Sequence, residues 1–352
     1  MPSGSVPSVL VALSGGVDST VAAVLLKEQG LRVKGVHFLL PSPEPVASKR
    51  RRSAEETAEH LRIPFLIEDL RSEFEEKVIS PFLRAYMSGR TPNPCVMCNQ
   101  AVKFAGLIAL ADREGICRVA TGHYAVVETG REGRVVLRRG ADKDKDQSYF
   151  LHRLEPSQLG RAVFPLGAMT KQEVRALASR YAVPAGSRSE SQEICFVPQG
   201  DYREFLKSRL GQTAERPGWI VDRGGSRLGR HKGVHGFTIG QRKGLGIASR
   251  RPYYVLELRP AQREVVVGRR EDLYQSRVRA ACFKWLEGSS EESDRRVLAK
   301  VRYRHPPAPG RLVPRPPSGV VLDFDQPQWA VTPGQALVCY EGDRVLGGGW
   351  IE

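Results

Sequence analysis

The sequence has no run of the roughly 18 to 20 apolar residues that a bilayer-crossing helix needs. Its opening, MPSGSVPSV, lacks both a basic leader and an amphipathic Arg-rich character. Both absences predict a cytoplasmic protein with no membrane partner. Acidic residues are in short supply: 39 Asp and Glu face 54 Lys and Arg in 352 residues, a net charge of +15. That balance favours a polyanionic partner held by phosphate contacts and counterion release, although an Arg-rich proteome would produce it too. Cysteine is sparse, with six residues in all. In a reducing compartment so few thiols speak against a disulfide-stapled fold and leave metal, redox or nucleophilic roles. Cys117, Cys282 and Cys339 lie in apolar, strand-like surroundings and are expected in the core. A G-x-x-x-x-G-K-[ST] loop is missing, GLGIAS at 244–249 does not complete a dinucleotide fingerprint, and no internal repeat is present.

From Ser8 to about residue 125, short apolar runs alternate with helical stretches. SVLVALS and LRVKGVHFLL read as buried strands, STVAAVLLKEQG as a helix closed by Gly30, and SAEETAEHLRIP as a second helix. IPFLIEDL and ICRVATGHYA read as further strands, and in TKQEVRALASRY Thr170 and Glu173 stand at capping-box spacing. This alternation predicts an α/β fold over residues 1–198, a doubly wound parallel sheet with ligands at the C-terminal strand ends. Residues 199–272 read as a small, mostly β central domain. Over 273–352, runs such as VLAKVRYR, GVVLDF and QALVCY predict an antiparallel barrel or sandwich, with HPPAPGRLVPRPPSG as a connecting loop.

The first strand leads into Ala12, Leu13, Ser14, Gly15, Gly16, Val17, Asp18 and Ser19, where the next helix starts. Two glycines let the backbone approach a phosphate, and the N–H groups and dipole of the helix start attract the anion. Ser14 and Ser19 add hydroxyl donors, and Asp18 is placed either to cap the helix or to help hold Mg2+. Phe38, ending the second strand, and Gly122, ending RVATG, lie where a nucleotide would rest. A bare SGG is a common tight turn. SGGVDS between a strand and a helix resembles the PP-loop ATP pyrophosphatases, of the adenine nucleotide alpha hydrolase-like fold. These cleave ATP between its α and β phosphates and transfer AMP to a substrate oxygen.

Cys95 and Cys98, three apart behind Pro92 and Pro94, form a spacing that serves zinc, iron–sulfur or redox chemistry. Taken in order, TPNPCVMCNQAVKF, ATGHYA, DKDQSYFL, SQEICF, GFTIGQRKGLGI, AKVRYRH and TPGQ resemble the tRNA-specific 2-thiouridylases over nearly the whole chain. The resemblance implies a C-terminal β-barrel and a two-step reaction. ATP adenylates the 2-oxo group of a wobble uridine, and sulfur then displaces AMP, giving 2-thiouridine and pyrophosphate. It makes Cys98 the catalytic cysteine and Cys195 the carrier of a persulfide loaded by a sulfur-donor protein, a cysteine desulfurase or a sulfur relay protein. Lys103 and nearby arginines would favour the thiolates. Cys95, Cys98 and Cys195 also form a set able to ligate a four-iron cluster; zinc would need His123 as a fourth ligand. Asn93, Pro94, Cys95 and His123 are expected beside the target base or nucleotide, and Lys145, Asp146 and Gln147 on a tRNA-facing loop. Arg302 and Tyr303 combine a phosphate-binding guanidinium with a stacking ring, and Gln335 is expected as a further RNA contact. Arg242 and Lys243 are candidate phosphate ligands. The basic run 49–52 reads either as an RNA contact or as a solvated helix start. A PP-loop ligase or amidase acting on a small metabolite is the alternative; it would need neither the paired cysteines nor the basic β modules.

Overall fold

Branched side chains set the centre of the fold. Strand β1 (Ser8–Ala12) buries Val9, Leu10 and Val11 almost completely, on both faces, which an apolar run achieves only inside a covered parallel sheet. The structure is a computed structural model describing residues 6–129, 134–183, 194–197, 200–211, 215–286 and 293–352. The chain divides into two compact units, one formed by Met1–Val78, Cys95–Phe196 and Asp343–Val345, the other by Ile79–Pro94, Val197–Gly342 and Leu346–Glu352.

In the first unit, β1 is followed by α1 (Val17–Glu28), β2 (Arg32–Leu39), α2 (Val46–Leu61), β3 (Phe65–Asp69) and the short α3 (Arg71–Phe74). Helix α4 (Ser80–Met87) belongs to the second unit. Then come α5 (Pro94–Cys98), α6 (Ala105–Arg113), β4 (Arg118–Ala120), the antiparallel hairpin of β5 (Ala125–Thr129) and β6 (Val135–Arg139), α7 (Ser148–Leu151), α8 (Pro156–Arg161), β7 (Ala162–Val163) and α9 (Lys171–Arg180). The parallel sheet runs β3-β2-β1-β4-β7. Its order reverses between β1 and β4, and a crevice opens at such a switch point, beyond the carboxyl ends of the strands. One core layer joins Leu10 and Val36 to Leu107 and Leu110 of α6; the other joins Val9 and Val11 to Ala23 and Leu26 of α1 and Ala54 and Ala58 of α2. Thr170 caps α9 in the expected box with Glu173.

The second unit contains α10 (Tyr202–Leu210) and a four-stranded sheet of β8 (Gly218–Val221), β9 (Arg227–His231), β10 (Tyr254–Arg259) and β11 (Glu264–Gly268), in the order β10-β11-β8-β9. It also contains β12 (Tyr274–Trp285), β13 (Arg295–Lys300), β14 (Ala308–Arg315), β15 (Gly319–Trp329), β16 (Ala336–Glu341) and β17 (Arg344–Ile351). These six follow the order β12-β15-β14-β13-β16-β17, and β12 pairs with β17 to close a barrel, which leaves no sheet edge open.

Three expectations are corrected. The proline-rich HPPAPGRLVPRPPSG is not a loop: it contains β14, paired on both sides, with Pro309 and Pro314 near its ends and Gly310 and Leu312 facing inward. Cys117 and Cys282 are exposed and only Cys339 is buried. Cys117 lies just before β4, and Cys282 has φ +49° inside a register shift of β12, a bulge that re-aims its side chain. The basic run 49–52 lies in the first two turns of α2, which starts at Val46, with Lys49, Arg51 and Arg52 exposed. Finally, the helical run Pro94–Arg113 is long and apolar enough to cross a membrane, with 20 residues and a mean hydropathy of 1.4. Phe104, Leu107 and Leu110 use that apolar character in the core of the first unit. The expected domain end at 198 lies outside the described residues.

Candidate active site

The loop after β1 sits at the switch point and is braced from several sides. Leu13 donates its N–H to Val36 O at 2.7 Å, and its own carbonyl meets Nδ1 of the buried His37 at 2.8 Å. Gly15 has φ +75°, and a Cβ there would lie 2.4 Å from the Arg50 carbonyl oxygen, so only glycine fits. Ser19 Oγ donates to Gly16 O at 2.9 Å and accepts from Ser14 N–H at 3.1 Å. Ser19 therefore braces the loop, with its proton committed inward, while Ser14 is exposed at the mouth. Gly122 closes the other side: a Cβ there would lie 2.7 Å from Asp18 C and 2.8 Å from Ser19 N. Phe38 is half-buried and packs towards the α6 side of the sheet.

Asp18 does not cap α1, whose N-cap is Gly16 with no side-chain hydrogen bond. Its carboxylate instead accepts from Lys171 Nζ at 2.6 and 2.8 Å and from Tyr124 OH at 2.8 Å. Lys171 begins α9, its side chain only 11 % exposed. Sequence reasoning missed both partners. Lys171 lay hidden in a helix start whose capping box explained its neighbours, and Tyr124 in a strand pattern.

The cysteines lie on the helical run that Pro94 starts, at a first position where the missing N–H costs nothing. Cys95 and Cys98 share a face at i,i+3 spacing. The next turn, Asn99–Phe104, is a wider π-type turn. It holds back the register by one residue, so Lys103 rather than the buried Val102 continues that face. The electrostatics agree. Burial pushes the Cys98 thiol up to about 12, with Lys103 opposing and the sulfurs of Cys195 and Cys95 adding to the shift. Burial, then Cys195, pushes Cys95 up to about 11, again against Lys103, although Cys95 keeps solvent contact. The Cys98 sulfur raises the Lys103 ammonium above its ordinary value against the effect of burial. Cys195 is half-buried; its carbonyl accepts from Ser42 Oγ at 3.4 Å, and Phe196 beside it meets Phe74 edge-on. Residues 191–193 of SQEICF lie outside the described residues.

Among the described residues, no group of three or more His, Cys, Asp or Glu side chains is placed to hold a metal ion. His123 Nδ1 lies 2.6 Å from Thr121 Oγ1, and burial, followed by the Lys103 charge, pushes its pKa down to about 3, so the ring stays neutral.

Several residues expected at RNA do internal work here. Asp146 is 1 % exposed, and its carboxylate accepts from Arg139 Nε at 3.0 Å, Ser148 N–H at 3.1 Å and Gly140 N–H at 3.2 Å. Gln147 exchanges bonds with the Tyr124 backbone, its Oε1 accepting at 3.0 Å. Both hold the loop that carries Lys145. Arg302 turns its guanidinium to the carbonyls of Trp329 and Ala330, bracing the barrel. Tyr303 is half-exposed, with Lys300 Nζ 5.4 Å from its ring centre. Gln335 Nε2 donates to Thr91 O at 2.9 Å and to Pro92 O at 3.3 Å, holding the segment that leads to Asn93 and the buried Pro94. Arg242 lines an open cleft with Leu245, Arg251 and Tyr253, and the Lys243 carbonyl accepts from Gln241.

Comparison with known proteins adds three family matches. Residues 7–199 match the tRNA methyl transferase HUP domain, residues 203–269 the tRNA methyl transferase PRC-barrel domain, and residues 275–351 the aminomethyltransferase beta-barrel domain. The tRNA-specific 2-thiouridylase MnmA of Syntrophotalea carbinolica is 47 % identical over 348 residues, covering 97 % of this chain and 98 % of its own. The protein of the same name from Geotalea uraniireducens is 45 % identical over 356 residues, covering 98 % and 94 %. That of Moorella thermoacetica is 44 % identical over 353 residues, covering 97 % and 99 %.

Proposed function

The chain belongs to the tRNA-specific 2-thiouridylase family, and we propose that it performs that family's reaction with its phosphate loop and two of its cysteines. The observation that carries this reading is one packing contact and a set of charge interactions in the first unit. Arg50 lays its carbonyl against Gly15 of the phosphate loop, and its charge acts on Lys103, which in turn acts on the sulfurs of Cys98, Cys195 and Cys95. A phosphate site and a thiol site thus share one electrostatic neighbourhood, which adenylation followed by sulfur transfer requires. The methyl transfer named in two of the family descriptions would need neither.

In the first step the 2-oxygen of the uridine attacks the α phosphorus of ATP, and pyrophosphate leaves. The loop from Ser14 to Ser19 would hold the departing pyrophosphate, with Lys171 turning from Asp18 towards phosphate. Mg2+ would neutralise phosphate charge, and Asp18 is the carboxylate that would hold it. In the second step the terminal sulfur of a Cys195 persulfide attacks C2, and AMP departs with the former uridine oxygen. The Cys98 thiolate attacks the inner sulfur, the S–S bond of the persulfide breaks, and its terminal sulfur remains on the base as the thiocarbonyl. Cys98 and Cys195 are left as a disulfide, which an external dithiol reduces before a sulfur-donor protein reloads Cys195. Burial works against the Cys98 thiolate, and the Lys103 ammonium beside it works in its favour. Cys95 plays no covalent part, and the free cysteines suit a reducing, cytoplasmic setting. Lys145, Tyr303 and Arg242 are the proposed contacts to tRNA, a polyanion matched to the net charge of +15.

The cysteine variants test this scheme. Cys98→Ser and Cys195→Ser should each abolish 2-thiouridine formation while tRNA-dependent pyrophosphate release persists, and Cys95→Ser should retain most of both. Wild-type thiolation by Cys195→Ser would overturn the persulfide assignment. ATP turnover that ignores tRNA and responds to a small amide or acid would favour the metabolite ligase.

A further inference from the structure

Helix α2 does more than cover the sheet: one of its buried hydroxyls reaches the phosphate loop and a second reaches the first turn of α1. Ser53, fully buried, donates through Oγ to Gly15 O at 3.0 Å, and Thr57, also fully buried, lies 3.2 Å from Thr20 Oγ1. Thr20 Oγ1 in turn donates to Gly16 O at 3.1 Å, a carbonyl that also receives Ser19 Oγ and Thr20 N–H. Two successive carbonyls of the loop are therefore fixed, Gly15 O towards α2 and Gly16 O into α1. The Gly15–Gly16 peptide is not among the cis bonds. In a trans peptide the C=O and N–H point in opposite directions. Fixing Gly15 O on Ser53 consequently aims the Gly16 N–H away from α2, and fixing Gly16 O aims the Val17 N–H out of the start of α1. Successive N–H groups turned outward next to a residue of positive φ form an anion-binding concavity.

We infer that Ser53 is a positioning residue of the phosphate loop: its hydroxyl holds the Gly15–Gly16 peptide in the one orientation that presents the Gly16 N–H to a phosphate group of ATP. This rests on the reading of the loop as the ATP site. The Arg50 carbonyl, 2.4 Å from where a Gly15 Cβ would stand, leaves the loop no room to tilt towards α2. Ser53 supplies the opposing pull, so the peptide is held by contact on one side and by a hydrogen bond on the other. The basic run 49–52 thereby takes on a structural meaning, because the turn of α2 that carries it is the wall of the phosphate loop.

The test compares Ser53→Ala, Ser53→Cys and Ser53→Thr with the wild type in tRNA-dependent AMP formation over a range of ATP concentrations, alongside tRNA affinity and thermal melting. A lost hydrogen bond of about 1 kcal/mol corresponds to roughly a fivefold rise in KM for ATP. We expect that rise in Ser53→Ala with tRNA affinity unchanged, a smaller one in Ser53→Cys, whose thiol is a weak donor of similar shape, and recovery in Ser53→Thr. A KM for ATP within twofold of wild type in Ser53→Ala, or equal losses in ATP and tRNA binding that track the melting temperature across all three variants, would overturn the inference. Should Ser53→Ala fail to fold, Ser53→Cys decides by the same criterion. A wild-type protein that releases no pyrophosphate with ATP and tRNA would overturn the ATP-site reading itself, and this inference with it.

Discussion

Gly122→Ala is the sharpest perturbation of the switch-point crevice. The added Cβ would stand 2.7 Å from Asp18 C, 2.8 Å from Ser19 N and 2.9 Å from Asp18 O, all main-chain atoms at the start of α1. Ordinary contact begins near 3.4 Å, so the β4 end and the helix start must part by about 0.7 Å. The strand cannot yield easily, since β4 is hydrogen-bonded to β1 on one side and β7 on the other. Overpacking of this kind costs roughly 1–3 kcal/mol, and a misplacement approaching 1 Å can cost about 10²-fold in rate. We expect tRNA-dependent AMP formation to fall about 10- to 100-fold, the melting temperature to fall by roughly 2–10 °C, and tRNA affinity to stay within twofold. Gly30→Ala is the control. Gly30 has positive φ, +78°, and a Cβ there meets nothing within 4 Å. It should lose stability to backbone strain without losing activity. AMP formation within threefold of wild type in Gly122→Ala, at a temperature where the variant is folded, would show that this turn lies away from the reacting phosphates.

Three further outcomes follow from individual side chains. Lys171→Met removes the ammonium from the Asp18 carboxylate, 33 % exposed, and keeps the Tyr124 hydroxyl donating to it; it should cost about 1–3 kcal/mol in stability and at least tenfold in AMP formation, and a variant as active as wild type would refute the part given to this lysine. Because burial raises the Cys98 thiol to about 12, its alkylation rate in Cys95→Ser/Cys195→Ser protein should rise about tenfold per pH unit from pH 7 to 9.5; a plateau below pH 8 would contradict the buried, protonated thiol. Tyr303→Ala should weaken tRNA binding by about 1–3 kcal/mol through lost stacking while leaving the salt dependence nearly unchanged, whereas Lys145→Ala should reduce the salt slope by about one; the reverse pattern would exchange their assignments.

What the sequence revealed was what lies close together along the chain. SGGVDS, the cap of α9 at Thr170 and the strand–helix alternation are local patterns, and the structure contains each of them. The pairings that complete the site are remote. Lys171 and Asp18 are 153 residues apart, and Ser53 and Gly15 are 38 apart, so only the topology of the sheet brings them together. Arg302 shows a different limit. An Arg–Tyr pair in a basic strand looks like an RNA contact, but the guanidinium finds two backbone carbonyls across the barrel, and no local pattern announces those. Asp146 is similar, since a charge-rich DKDKDQ reads as solvated although three donors converge on its buried carboxylate. The strand β14 was obscured by its prolines, which sit near its ends, where few ladder bonds are lost.

The most direct test measures both products of one turnover. Purified protein, freed of iron by chelation, is incubated with unmodified tRNA, ATP, Mg2+, a persulfide donor and a dithiol, and the AMP and the digested nucleosides are quantified by mass spectrometry. The account predicts 2-thiouridine at the wobble position, one AMP for each thiouridine formed, and multiple turnovers without iron. Unmodified tRNA despite ATP cleavage, or thiolation only after a metal cluster is rebuilt, would contradict it.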